Sequence, residues 1–441
     1  MTTVPQLSQT LQTLFTTTAD TLARRTGFVL RRSKLTGALF AQALVFGWLA
    51  NAQASLENLA QAAAAVGVAI SAQGLDQRLG EAAATFLEDL LGAAVQAVVA
   101  ADAVAIPLVQ RFSAVVLLDC STIVLPDVLA PWWPGCGGST PEHTQAALKI
   151  GVRYDLCRGQ WSGPLLCDGR THESTTPIQN APLPPRALRL ADLGFFDLEV
   201  LAQLSAQGGY WLSRLQQGTA VYDEAGRRWE MLALLAAEGS TEVDVPVTLG
   251  VEQRLAARLL AVRVPQEVAD QRRRRLRAQA RRRGRTPSAL SLAWCAWTIF
   301  LTNVPPALLS LREALVLATA RWQVELLFKL WKSHGQIDES RSRKPWRVLT
   351  EVFAKLLAMV VQHWLVLTGC WAYPDRSLVK AAQTVRQHAL HLASTLACPL
   401  WLEQAIGVIH RCLAAGCRLN RRKTRPNTYQ FLLDPTLLEL G

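Results

Sequence analysis

At Ala114 the chain changes pattern, and that change limits its architecture more than any other feature. Upstream, residues 1–110 are rich in Ala, Leu and Gln, and their apolar residues recur at three and four, which predicts helices. From Ala114 the run AVVLLD is continuously apolar, the pattern of a strand covered on both faces. The Pro- and Gly-rich loop APWWPGCGGSTP follows, then ALKIGVRYDL, WSGPLLCDG and RALRLADLGFF, each read as a strand with short turns between. GTAVYDE, RRWEMLALL, VDVPVTLGV and ARLLAVRVP read as further short strands, so 216–295 is taken as a β-rich insertion. From Pro306 onward the pattern is helical again, to the basic end RLNRRKTRP.

A length of 441 residues suggests two to four compact units, and a chain that is half hydrophobic and 18% charged is not disordered. MTTVPQLSQT lacks the basic start and apolar stretch of a signal peptide. The apolar windows 89–109 and 353–371 are interrupted by Asp102, Lys355 and His363. The expectation is a soluble cytoplasmic protein without a membrane partner. Nine cysteines with no CxxC pair and no matching histidine spacing exclude a disulfide framework and a zinc finger, leaving reduced thiols.

The formal charge of +12 is unevenly placed. Val251 to Arg285 holds twelve Arg against two Glu and one Asp, a local +9. QRRRRLRAQARRRGR, with Arg272, Arg273, Arg274 and Arg275 at its head, is most simply an element for binding a polyanion, because each neutralised phosphate releases counterions. A solvated loop reads the same residues. SLENLAQAAAAVGVAISAQGLDQRL has the form of a helix from Leu56, a turn at Gly67 and a second helix capped by Ser71, which resembles a helix-turn-helix and equally fits ordinary helix packing.

Three acids stand out. Asp119 ends the first apolar strand, where a carboxylate can meet a cleft and hold a metal, or simply form a turn. Asp192 ends the strand of RALRLAD before a glycine, with Asp197 as a rival. In ARWQVELLFKLWKSHG, a continuous helix would set Arg321, Glu325, Phe328 and Lys332 in one stripe, with Trp322, Leu326 and Leu330 as an apolar stripe facing the sheet. An ordinary Arg321, Glu325, Lys329 surface ladder reads the same helix.

In order, an Asp at a strand end, ADLGFF in place of D-R-G-Y/F, and R-x3-E-x6-K on a helix resemble the DDE transposases of bacterial insertion sequences. The branch is the one founded on insertion sequence four, with its Y-x2-R-x3-E-x6-K signature. The resemblance implies an α/β fold: an RNase H-like core interrupted by a β-rich insertion, with helical N- and C-terminal regions. The expected divisions are a DNA-binding region 1–110, core 111–215, insertion 216–295, core 296–375 and a C-terminal region 376–441 suited to dimerisation. It further implies that Asp119, Asp192 and Glu325 hold two Mg²⁺ or Mn²⁺ ions, and that Arg321 and Lys332 hold phosphates of the transposon end. Trp297, 28 residues before Glu325, stands where hairpin-forming relatives stack a flipped base; a core tryptophan, like Trp294 nearby, is the alternative. Implied partners are transposon-end DNA, target DNA and a second copy in a synaptic homodimer, in a bacterial cytoplasm at the nucleoid. Ala318 replaces the signature tyrosine and Leu193 the arginine after the second Asp. Two competing functions share these residues: an RNase H-fold nuclease or resolvase without strand transfer, and a non-catalytic DNA-binding derivative.

Overall fold

The computed structural model describes residues 1–31, 33–136 and 145–438; the GGSTP end of the loop after the first strand lies outside the described residues. Among the described residues ten strands form one sheet: β1 Val115–Leu125, β2 Ala146–Asp155, β3 Trp161–Asp168, β4 Leu188–Ala191, β5 Tyr210–Arg214, β6 Val221–Tyr222, β7 Arg228–Trp229, β8 Glu242–Leu249, β9 Leu255–Arg263 and β10 Trp297–Thr302. Their order is β3-β2-β1-β4-β5-β10-β9-β8-β6-β7. β4 runs parallel to both β1 and β5, whereas β5, β10, β9 and β8 alternate in direction.

Contacts divide the chain into two compact units. The first comprises Met1–Ala105, Asp119–Thr171 and Gln323–Asn420; the second comprises Ile106–Leu118, His172–Trp322 and Arg421–Gly441.

The first unit is built around the helix Pro345–Cys370, packed against Gly37–Ala50, Glu81–Gln96 and Pro399–Gly416. That helix is long and apolar enough to cross a bilayer, but its apolar window is 89% buried inside the protein. Lys355 and His363, which interrupt the apolar sequence, both lie inside this core. Lys355 is tolerated there because its ammonium donates to the carbonyls of Gln336 and Glu339, each at 2.8 Å, and meets Glu351 at 2.7 Å. The N-terminal hairpin forms as its sequence predicts: Leu56–Ala65, a turn with Gly67 at φ +90°, and Ala72–Asp76 capped by the Ser71 hydroxyl accepting from Gly74 N–H at 3.1 Å.

The second unit has its own apolar core, with Leu201, Trp211, Leu259 and Leu301 at its centre. Buried Arg258 ties β9 to its surroundings through Asp244 and through the Val304 and Leu309 carbonyls, at 2.6 and 3.1 Å. RRWEMLALL is not a strand throughout. Only Arg228–Trp229 pairs; Glu230 then caps a helix Met231–Glu238, accepting from Ala233 N–H at 3.1 Å, and Gly239 ends it at φ +65°. Leu, Ala and Met favour helix wherever a cap and a glycine stop bracket them. All nine cysteines are free thiols.

Candidate active site

β1 is longer than AVVLLD suggests. It runs eleven residues, and Asp119 lies in its middle rather than at its end. Its character changes at Asp119 nonetheless. Val115 to Leu118 are buried and pair with Leu188 to Ala191, while the next three residues are only partly buried. The pairing with a neighbouring parallel strand, not the strand itself, stops there. Within the second unit Leu118 is in register with Ala191, and in each strand the next residue is an acid, Asp119 after Leu118 and Asp192 after Ala191.

Asp119, which belongs to the first unit, is partly buried and accepts from the Cys120 N–H at 2.8 Å. Asp192 takes the N-cap position of the 3₁₀ turn Leu193–Phe195 without its side chain capping that turn. Among the described residues no hydrogen bond or ion pair engages its carboxylate. Asp197, the rival acid, is already committed: it caps the helix Leu198–Ala206, accepting from Glu199 N–H at 2.9 Å and Val200 N–H at 3.3 Å.

The segment carrying Glu325 is not one regular helix. Leu311–Ala320 ends with Arg321 as its C-cap, Trp322–Lys329 follows, and Leu330–His334 is a π-helical turn. Arg321 keeps helical angles, φ −51° and ψ −30°, while the π turn shifts Lys332 from its place in the stripe expected for a regular helix. The buried positions are Val324, Leu327, Phe328, Leu330 and Trp331, while Trp322, expected as an apolar anchor, is 51% exposed. Phe328 thus belongs to the core-facing side. Glu325 is partly buried, in the first turn of its helix. Within the first unit the Lys332 ammonium donates to the Thr122 carbonyl of β1 at 2.8 Å, which fastens the Glu325 segment to the strand that carries Asp119. Among the described residues, no three His, Cys, Asp or Glu side chains gather closely enough to hold an ion.

The arginine block is a helix, Gln266–Arg282, rather than a loop. Its arginines divide into two kinds. Arg272 donates to the Trp297 carbonyl and the Thr298 hydroxyl, both at 3.0 Å. Arg273 donates to the Leu292 carbonyl at 3.1 Å and pairs with Asp270 at 2.7 Å. Arg274, Arg275, Arg277, Arg281 and Arg282 are exposed. Trp297 opens β10 and, with Trp294, packs partly buried against the core of the second unit. Two further placements were not foreseen from the sequence. Trp322 presents an open indole three positions before Glu325, and Arg189 is buried inside the apolar strand that precedes Asp192.

Residues 111–361 match the family described as Transposase DDE domain. The transposase for insertion sequence element IS231B of Bacillus thuringiensis subsp. berliner is 26% identical over 365 residues, covering 78% of this chain and 75% of its own length. That for IS231C of the same organism is 28% identical over 364 residues, covering 78% and 75%. The transposase for insertion sequence element IS1151 of Clostridium perfringens is 22% identical over 277 residues, 58% of each chain.

Proposed function

This chain belongs to the Transposase DDE domain family, enzymes that cleave and transfer DNA, and from that premise we propose that it moves a bacterial insertion sequence by cut and paste. Asp119, Asp192 and Glu325 are the DDE acids. The observation that carries the assignment is the in-register pairing of Leu118 with Ala191, each followed directly by an acid. Residues in register on parallel strands project to the same face, so consecutive acids there favour a shared site. The tie of Lys332 to Thr122 supports Glu325 as the third member. Drawing the three carboxylates together about metal is part of the proposal.

The donor set fits a hard cation. It is all oxygen, with no His or Cys, and the Asp192 carboxylate does not cap its own turn. Bound Mg²⁺ or Mn²⁺, as two ions, would activate water or a 3′-hydroxyl and stabilise the leaving oxygen. The protein's own groups do the rest. The acids hold and orient, Arg321 and Lys332 attract the end phosphate, and the arginine helix draws the DNA backbone through its exposed side. Trp297 is proposed to stack a flipped base during hairpin closure, through the part of its indole that the core leaves open.

The order β3-β2-β1-β4-β5, with β4 parallel to its two neighbours, supports an RNase H-like core, and strands β6 to β9 before the Glu325 segment support an insertion there. The divisions 1–110, 111–215, 216–295, 296–375 and 376–441, the insertion sequence four branch, the homodimer and the cytoplasmic setting belong to the same proposal. Ala318 and Leu193 remain as departures from that branch.

The test uses DNA carrying the terminal repeats that flank the element encoding this chain, with a supercoiled target. With Mg²⁺ or Mn²⁺ the products should be nicked ends, hairpins and joined target, all absent in EDTA. Cut ends without joined target would instead make it a nuclease, and specific binding without cleavage a DNA-binding derivative.

A further inference from the structure

We propose that Arg189 and Gln179 are positioning residues for Asp192, forming a buried clamp on the turn that carries it. The inference rests on the reading of Asp192 as a metal-binding acid. Arg189 sits in the middle of β4, between Val116 of β1 and Trp211 of β5, and is 3% exposed. A guanidinium in a central strand is a poor choice for stability alone, because a buried cation must recover its lost hydration from the protein. Here it recovers part of it from one turn. Arg189 Nη2 donates to the Gln179 side-chain carbonyl and to the Phe195 backbone carbonyl, the latter at 3.3 Å. Gln179, also 3% exposed, donates through Nε2 to the same Phe195 carbonyl at 3.2 Å.

Phe195 is the far end of the turn that Asp192 begins, and its N–H donates back to the Asp192 carbonyl at 3.0 Å. The middle of the turn is confined as well. A Cβ on Gly194 would stand 1.8 Å from the Glu173 carboxylate oxygen and 3.5 Å from the Glu173 Cβ, so the glycine lies against that side chain. Gln179 is itself braced by its N–H to the Thr176 carbonyl at 3.0 Å. The clamp fixes the Asp192 backbone from beneath and does not engage its carboxylate. That division of labour suits a ligand whose direction must be set before the ion arrives.

The experiment measures Mn²⁺ binding to the full-length protein on its end DNA by electron paramagnetic resonance, beside thermal unfolding and DNA-end affinity. Gln179→Leu removes both of the glutamine's bonds. It should raise the Mn²⁺ concentration for half-occupancy about 10- to 100-fold, the usual effect of losing an outer-shell partner, with DNA-end affinity unchanged. Gln179→Glu keeps the acceptor for Arg189 but loses the donor to Phe195, and should recover part of the affinity that Gln179→Leu loses. If Gln179→Leu does not fold, Arg189→Lys, which cannot reach both carbonyls, is measured the same way and should show the same weakening. Wild-type Mn²⁺ affinity in whichever of these folded variants is measured, or no recovery in Gln179→Glu, overturns the clamp. Asp192→Asn separates the two claims: if it binds Mn²⁺ like wild type, the reading of Asp192 itself fails; if it loses Mn²⁺ while the clamp variants do not, only the clamp fails.

Discussion

His363 and Gly159 meet in the interior of the first unit, 2.7 Å apart through Nε2 and the carbonyl oxygen. The carbonyl can only accept, so Nε2 carries the proton of a ring that stacks on Trp161 at 4.0 Å. Burial pushes the imidazole pKa down to about 4; the Gly159 bond opposes that shift and the Arg376 charge adds to it. Burial likewise lowers His410 to about 4. Between pH 6.5 and 4 the unfolded chain binds protons that the folded chain refuses, so stability is present above that window and lost as pH falls through it. For His363 the loss amounts to about 3 kcal/mol. Urea unfolding as a function of pH should show it, and His363→Phe should flatten that part of the profile. Gly159 is constrained for a separate reason. At φ +67° an added Cβ would stand 2.3 Å from the Trp371 ring, so Gly159→Ala should lose about 2 to 4 kcal/mol in the same assay through backbone strain and overpacking. Neither residue announces this in the sequence, where the glycine reads as a turn and the histidine as a polar break in an apolar run.

The arginine helix shows where residue type informs and where it does not. Composition correctly marks Gln266–Arg282 as basic, but only the folded helix separates Arg272 and Arg273, committed to backbone carbonyls, from exposed Arg274, Arg275 and Arg277. Replacing the three exposed residues with Ala should flatten the log–log salt dependence of DNA binding by about 0.9 for each phosphate no longer neutralised, weakening specific and unrelated DNA alike at unchanged melting temperature. Arg272→Ala should instead lower stability by about 1 to 3 kcal/mol, since the Trp297 carbonyl and Thr298 hydroxyl lose their donor. Loss of specific binding alone in the exposed triple variant would mean that the helix reads bases. Strands β2 and β3 were legible because apolar runs and turn residues agree there. The Glu325 segment was legible as helical, but the cap at Arg321 and the π turn at Leu330–His334 leave no composition signal, and Trp322 is exposed where an apolar anchor was expected. Trp297→Ala should slow hairpin closure about five- to a hundred-fold with the first nick preserved, and an abasic substrate should be indifferent to it. Equal loss in both steps would assign Trp297 to the core it packs against.

Across the whole molecule, the order of acids along the chain was legible because each follows a distinct local signal, two at the ends of apolar runs and one on a helix. The pairings on which the proposal of a shared site rests were not legible. The register of Leu118 with Ala191 and the bond from Lys332 to Thr122 are long-range facts, separated in sequence by 73 and 210 residues. The division of 376–441 is similar: its helices to Asn420 join the first unit, while Thr428–Leu433 packs on Leu311–Ala320 in the second, so a region uniform in composition serves two bodies. Isosteric removal of each charge tests whether Asp119, Asp192 and Glu325 form one metal-dependent site. End binding and single-turnover cleavage of transposon-end DNA in Mg²⁺ are measured for Asp119→Asn, Asp192→Asn and Glu325→Gln. Each should bind ends like wild type and cleave at least about a thousand-fold more slowly, because several kcal/mol of transition-state charge stabilisation is lost. Wild-type cleavage by any one of the three would remove that residue from the site and contradict the assignment.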